Sequence, residues 1–163
     1  MRKKPEISLR ARALQYLARR EYSRAELRAK LLSYVNAEDD FSPAPPVDLD
    51  ALLDDFSARG WLSDVRAVTQ LVHAKRKRFG TQRITHELRQ RGISDELIEA
   101  ELPALKESEL EAARDVWQRK FGTPPQDAKE KAKQMRFLQS RGFSIDTTLK
   151  VLKSSSAMED DEG

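Results

Sequence analysis

The sequence predicts an all-α protein: three tandem three-helix repeats forming an elongated, curved molecule. Three observations carry this prediction. The pattern apolar–x–x–Arg–Gly–apolar occurs three times, at Phe56 to Trp61, Leu88 to Ile93 and Leu138 to Phe143, with Ser63, Ser94 and Ser144 soon after. Apolar residues recur at helical spacing between the copies. A second turn, Phe79-Gly80-Thr81, returns as Phe121-Gly122-Thr123, with Tyr22-Ser23 as a weaker relative.

The Arg–Gly pattern fits a helix stop. A glycine just past a helix takes the left-handed conformation that other residues resist. The residue after it then packs on a residue one turn back. Counting back from Gly60, Gly92 and Gly142, that residue is Phe56, Leu88 and Leu138, apolar each time. The following serine can accept a backbone N–H and start the next helix.

In chain order, residues 1–7 read as a basic arm and residues 8–62 as the first repeat. Ser8 caps a helix over about 9–20, with Leu9, Ala13, Tyr16 and Leu17 on one face. Ser23-Arg-Ala-Glu26 is a capping box, in which serine and glutamate each satisfy a backbone donor of the other. Its helix presents Leu27, Leu31 and Tyr34 and ends near Tyr34. Asn36 to Pro46 reads as a loop, because Ser-Pro-Ala-Pro-Pro cannot continue a helix. A third helix, from about Asp48 to Arg59, buries Leu49, Leu52, Leu53 and Phe56.

The second repeat, 63–106, opens at Ser63 with a stripe of Val65, Val68, Leu71, Val72 and Phe79. Phe79-Gly80-Thr81 ends that helix and caps the next, which turns Ile84, Thr85 and Leu88 inward. Ser94 begins a sixth helix with Leu97, Ile98, Leu102 and Leu105 on its apolar side, and Pro103 predicts a kink or early stop. The third repeat, 107–153, opens on a second capping box, Ser108-Glu-Leu-Glu111. Leu110, Ala113, Trp117 and Phe121 form its first stripe, Ala128, Ala132, Met135 and Leu138 its second, and Ile145, Leu149 and Leu152 its last. Trp61 and Trp117 read as core. Residues 154–163 read as a disordered acidic tail.

Composition narrows the function. Charged residues make up 35% of 163 and aromatics only 7%, which suits thin helix-packed cores. With no cysteine, disulfides and thiolate metal sites are excluded. No apolar run approaches a membrane span and no signal segment follows the basic start, so a cytoplasmic protein that avoids membranes is expected. His73 and His86 stand on separate helices without a ligand motif, and no phosphate loop or nucleophile elbow is present. A non-enzyme without metal or cofactor follows.

The net charge of +3 hides segregation that suggests a basic face for an acidic partner. Lys75-Arg76-Lys77-Arg78 covers a full helical turn with no acid mixed in. Arg24 and Arg28 lie on the second helix, and Arg83, Arg89 and Arg91 follow the cluster. These nine residues are the candidate contacts, and phosphate or carboxylate surfaces are their natural targets. Arg59, Arg91 and Arg141 also suit helix C-terminal carbonyls.

Tyr22-Ser-Arg-Ala-Glu-Leu-Arg-Ala-Lys-Leu31, Arg59-Gly-Trp-Leu-Ser-Asp64 and Phe79-Gly-Thr-Gln-Arg-Ile84 leading to Leu88-Arg-Gln-Arg-Gly-Ile93 resemble, in order and spacing, the RecX family of bacterial RecA regulators. The resemblance runs from about Ser8 to Leu152; the proline-rich insertion at 42–47 and the acidic tail depart from it. It implies a monomeric, non-enzymatic modulator that binds RecA, lies in the groove of the RecA–DNA filament and inhibits recombinase, ATPase and coprotease activities, so modulating DNA repair and the SOS response. The competing reading is a helix-turn-helix-like protein that binds DNA directly. Weak non-specific DNA binding fits either.

Overall fold

A computed structural model describes residues 7–38 and 48–160. Among them are eight helices and no strand: α1 Leu9–Arg19, α2 Arg24–Glu38, α3 Leu49–Ala58, α4 Asp64–Lys75, α5 Thr81–Gln90, α6 Asp95–Lys120, α7 Ala128–Ser140 and α8 Ile145–Asp160. The insertion at 42–47 and nearly all of the basic arm lie outside the described residues. None of the described helices is long and apolar enough to cross a membrane. The chain divides into two compact units, one running to Gln70 with Arg91–Ile93, the other Leu71–Gln90 with Ser94 onward.

In the first unit, α1 to α3 enclose Leu9, Ala13, Leu27, Leu31, Leu53 and Phe56. The local signals operate as physical chemistry requires. Ser8 Oγ accepts the Ala11 amide at 3.1 Å. The Glu26 amide donates to Ser23 Oγ at 3.1 Å and the Ser23 amide to Glu26 Oε1 at 3.2 Å, completing the capping box. α3 ends on the expected stop: Gly60 has φ +77, its amide bonds the Ser57 carbonyl at 3.0 Å, and the Trp61 amide reaches the Phe56 carbonyl at 2.9 Å.

Three expectations in this unit need correction. α2 continues to Glu38, so 36–38 are helix and not loop; Val35 packs on the core and no breaker precedes the prolines. Trp61 is 41% exposed, because only one face of its ring rests on Phe56, at 5.8 Å, and the Arg10 and Arg59 guanidiniums lie within 6 Å. Val65 is 59% exposed, since the buried stripe of α4 begins at Ala67 and Val68.

In the second unit, α6 runs unbroken through Pro103 and Ser108, where an interruption and a new cap were expected. Proline removes one helical donor. Ile98 and Leu105, buried on either side of it, and Ala112, Ala113 and Trp117 further along hold the helix together. Ser108 Oγ donates back to the carbonyls of Ala104 and Leu105, and therefore caps nothing. Glu109, one residue on, is buried and accepts the Thr81 amide at 3.0 Å and the Ser144 and Thr147 hydroxyls at 3.3 and 2.6 Å. One carboxylate thus ties the starts of α5 and α8 to the middle of α6.

The Thr81 amide goes to Glu109, and the Thr81 hydroxyl is buried without a partner among the described residues. The start of α5 is satisfied from elsewhere: the Gly80 amide donates to the Arg141 carbonyl at 2.8 Å and the Gln82 amide to the Gly142 carbonyl at 3.3 Å. On α8 the buried face is Thr147, Thr148, Val151, Leu152 and Ser155, which leaves Ile145 and Leu149 exposed against expectation. α8 also continues through 154–160, where disorder was expected. Its serines return their hydroxyls to the helix, Ser154 to Lys150 at 2.6 Å and Ser155 to Leu152 at 2.7 Å.

Candidate anion-binding surface

The basic run does not cover a helical turn. α4 stops at Lys75, and residues 76–78 form a turn closed by the Arg78 and Phe79 amides on the Lys75 carbonyl, at 3.1 and 3.0 Å. The run ends on Phe79, half-buried, and the cations gather round that ring. The charged ends of Lys75, Arg83 and Arg141 lie 5.1, 4.3 and 5.3 Å from its centroid, and Arg78 lies at 6.0 Å. Arg141 is equally close, 5.3 Å, to Phe137, which Lys120 also approaches at 5.3 Å. Beside these rings is a cleft of about 220 Å³ lined by Arg78, Val116, Arg119, Lys120, Phe137 and Arg141.

Four cations and no carboxylate line that cleft. Each guanidinium–ring contact contributes about 0.5–1 kcal/mol at an exposed site. A flat guanidinium held on a ring keeps its outward N–H fork free for an oxyanion. Arg83 spends one N–H on the Ser140 carbonyl at 3.3 Å, which fixes its position while leaving its charge uncompensated by any described carboxylate. The arrangement suits phosphate or carboxylate oxygens.

The nine sequence-predicted contacts separate. Arg76, Lys77, Arg78 and Arg83 have no carboxylate partner among the described residues. Arg24 instead bridges to Asp54 at 2.7 Å and Asp50 at 3.9 Å, and Arg28 to Asp50 at 3.2 Å. Lys75 pairs with Glu87 at 3.4 Å, Arg89 with Asp95 at 3.9 Å and Arg91 with Glu26 at 3.9 Å. Burial opposes ionisation of Glu26, but the hydrogen bonds from Arg20 and the Ser23 amide, with the charges of Arg20 and Arg91, outweigh it and lower its pKa. Sequence reasoning missed Arg119, Lys120 and Arg141. Arg141 carried a signal, its place before Gly142, but that position also suits a helix cap.

His73 and His86 are exposed, and no cluster of metal-ligating side chains occurs among the described residues. Family models described as RecX, second three-helix domain, and RecX, third three-helix domain, match residues 63–102 and 107–152. The chain is 47% identical over 150 residues to the regulatory protein RecX of Leptothrix cholodnii, covering 92% of this chain and 90% of the relative. It is 45% identical over 159 residues to that of Herbaspirillum seropedicae, covering 97% of each. A crystal structure of RecX from Lactobacillus salivarius has the same fold, with a TM-score of 0.67 at 18% identity over 91% of this chain and 95% of the other. Helices arranged as tandem repeats, two matched repeat models and relatives similar along nearly their whole length place this chain in the RecX family of regulatory proteins.

Proposed function

We propose that this protein is a non-catalytic negative regulator of RecA that lies in the groove of the RecA–DNA filament and inhibits recombination, ATP hydrolysis and coprotease activity. Family membership supports a regulatory role, and one local observation supports the mode of contact. Arg78, Arg83, Lys120 and Arg141 gather round Phe79 and Phe137, and Arg119 lines the adjoining cleft, with no described carboxylate among them. A nucleoprotein filament presents phosphates and acidic side chains to such a surface, and desolvated charge-assisted hydrogen bonds hold it there. Arg24 and Arg28, already bridged to Asp50 and Asp54, contribute less than their charge suggests.

The test is RecA-driven ATP hydrolysis on single-stranded DNA with increasing amounts of this protein. Arg78→Glu with Arg141→Glu is expected to raise the half-inhibitory concentration by about tenfold or more, equivalent to about 1.4 kcal/mol, with helix content unchanged. Undiminished inhibition would remove this surface from the contact. If the protein instead bound DNA alone tightly and with sequence preference, direct DNA binding would replace filament regulation as its activity.

A further inference from the structure

The second and third Arg–Gly turns each close on the start of another helix. In the first unit the Ser23 hydroxyl donates to the Arg91 carbonyl, and Gly92 passes Ala25 so closely that any Cβ there would strike the alanine methyl. In the second unit the Arg141 and Gly142 carbonyls accept the Gly80 and Gln82 amides. In both, the electronegative end of one helix meets the electropositive start of another, a favourable pairing of dipoles. Behind the turns, Ile93 and Phe143 are 6% and 1% exposed.

One half of this contact is left open at each of two places. The first is the Arg59-Gly60-Trp61 turn: nothing lies within 4 Å of a Cβ built on Gly60, and Trp61 is half-exposed. The second is a cleft of about 580 Å³ between α7 and α8, lined by Pro125, Asp127, Ala128, Lys131, Leu149 and Leu152, with Leu149 exposed. This cleft borders the start of α7, where Asp127 and Glu130 repeat the spacing of Ser23 and Glu26. The amides of Asp127 and Lys129 correspond to those of Gly80 and Gln82 and have no partner among the described residues.

We propose that these two surfaces join neighbouring molecules: the Arg59-Gly60-Trp61 turn of one seats in the α7–α8 cleft of a second copy, head to tail. The Arg59 and Gly60 carbonyls then accept the Asp127 and Lys129 amides, as Arg141 and Gly142 accept those of Gly80 and Gln82. Arg59, whose Nε bridges to Asp55 at 3.0 Å within its own chain, turns its remaining N–H groups to Glu130 as Arg91 faces Glu26, and Trp61 covers Leu149. Arg66 already donates to the Gly60 carbonyl at 2.6 Å, but that oxygen has a second lone pair. A dilute chain stays monomeric, and copies held side by side on a common track meet through this contact.

The chain has no cysteine, which makes the test direct. Ala58→Cys protein, which keeps Arg59, is mixed with Lys129→Cys protein under mild oxidation and compared with a mixture of Ala58→Cys and Glu99→Cys. Disulfide-linked heterodimer is expected to form about tenfold faster in the first mixture, and adding Glu130→Arg to the Lys129→Cys partner should return the rate to the control. All three cysteine positions are exposed, so folding is not at stake. Equal rates in the two mixtures, or no effect of Glu130→Arg, would overturn the proposal.

Discussion

Replacing Gly80 by alanine tests the packing of the second unit most sharply. A Cβ on Gly80 would fall inside the van der Waals radii of the Gly142 carbonyl and the Phe143 amide nitrogen. These are backbone atoms, so no side-chain rotation relieves the clash. The start of α5 must part from the end of α7, which breaks the Gly80–Arg141 and Gln82–Gly142 hydrogen bonds and strains the Thr81–Glu109 bond. Two buried hydrogen bonds at about 1 kcal/mol each, with an overpacking cost of about 1–3 kcal/mol, make a loss of about 3–5 kcal/mol. The comparison is Gly60→Ala, which meets no neighbour within 4 Å and pays only for its left-handed backbone, about 1–2 kcal/mol. Urea unfolding followed by circular dichroism and tryptophan fluorescence reads both. If Gly80→Ala costs no more than Gly60→Ala, the docking of the third Arg–Gly turn onto α5 is wrong.

The buried Trp117 indole donates to Gln134 Oε1 at 2.8 Å, so Gln134→Leu leaves that donor unsatisfied and is expected to cost about 1–3 kcal/mol by the same unfolding assay. Glu26 has a folded pKa below the ordinary 4.5, so the stability it contributes is present above about pH 4.5 and lost as pH falls through the folded value. The stability gap between wild type and Glu26→Gln should therefore be full at neutral pH and close in acid, as thermal melts across pH will record. Arg28→Ala breaks one exposed bridge to Asp50 and is expected to change stability by less than about 1 kcal/mol and to leave ATPase inhibition almost unaltered.

Local devices were legible in the sequence. The Ser23–Glu26 box and the Gly60 stop depend on residues within one turn of each other, so their spacing states their geometry. Ser108-Glu-Leu-Glu111 has the same letters as a capping box but lies inside α6, because buried residues on both sides of Pro103 keep the helix whole. The tertiary environment there overrides a local signal. The basic run was legible as charge, but its setting was not. The Phe79–Phe137 surface gathers side chains from the α4–α5 turn, the last turn of α6 and the end of α7, segments far apart in the chain. No periodicity encodes that meeting. Nor could charge counting separate Arg24, neutralised by Asp54, from Arg78, which has no described carboxylate partner.

Electron cryo-microscopy of this protein on RecA–DNA filaments tests groove occupancy directly. Helical density is expected in the filament groove, with Arg78, Arg119, Lys120 and Arg141 turned toward RecA or the DNA backbone and Phe79 and Phe137 beneath them. Filaments without added density, or density with that surface facing solvent, would contradict it.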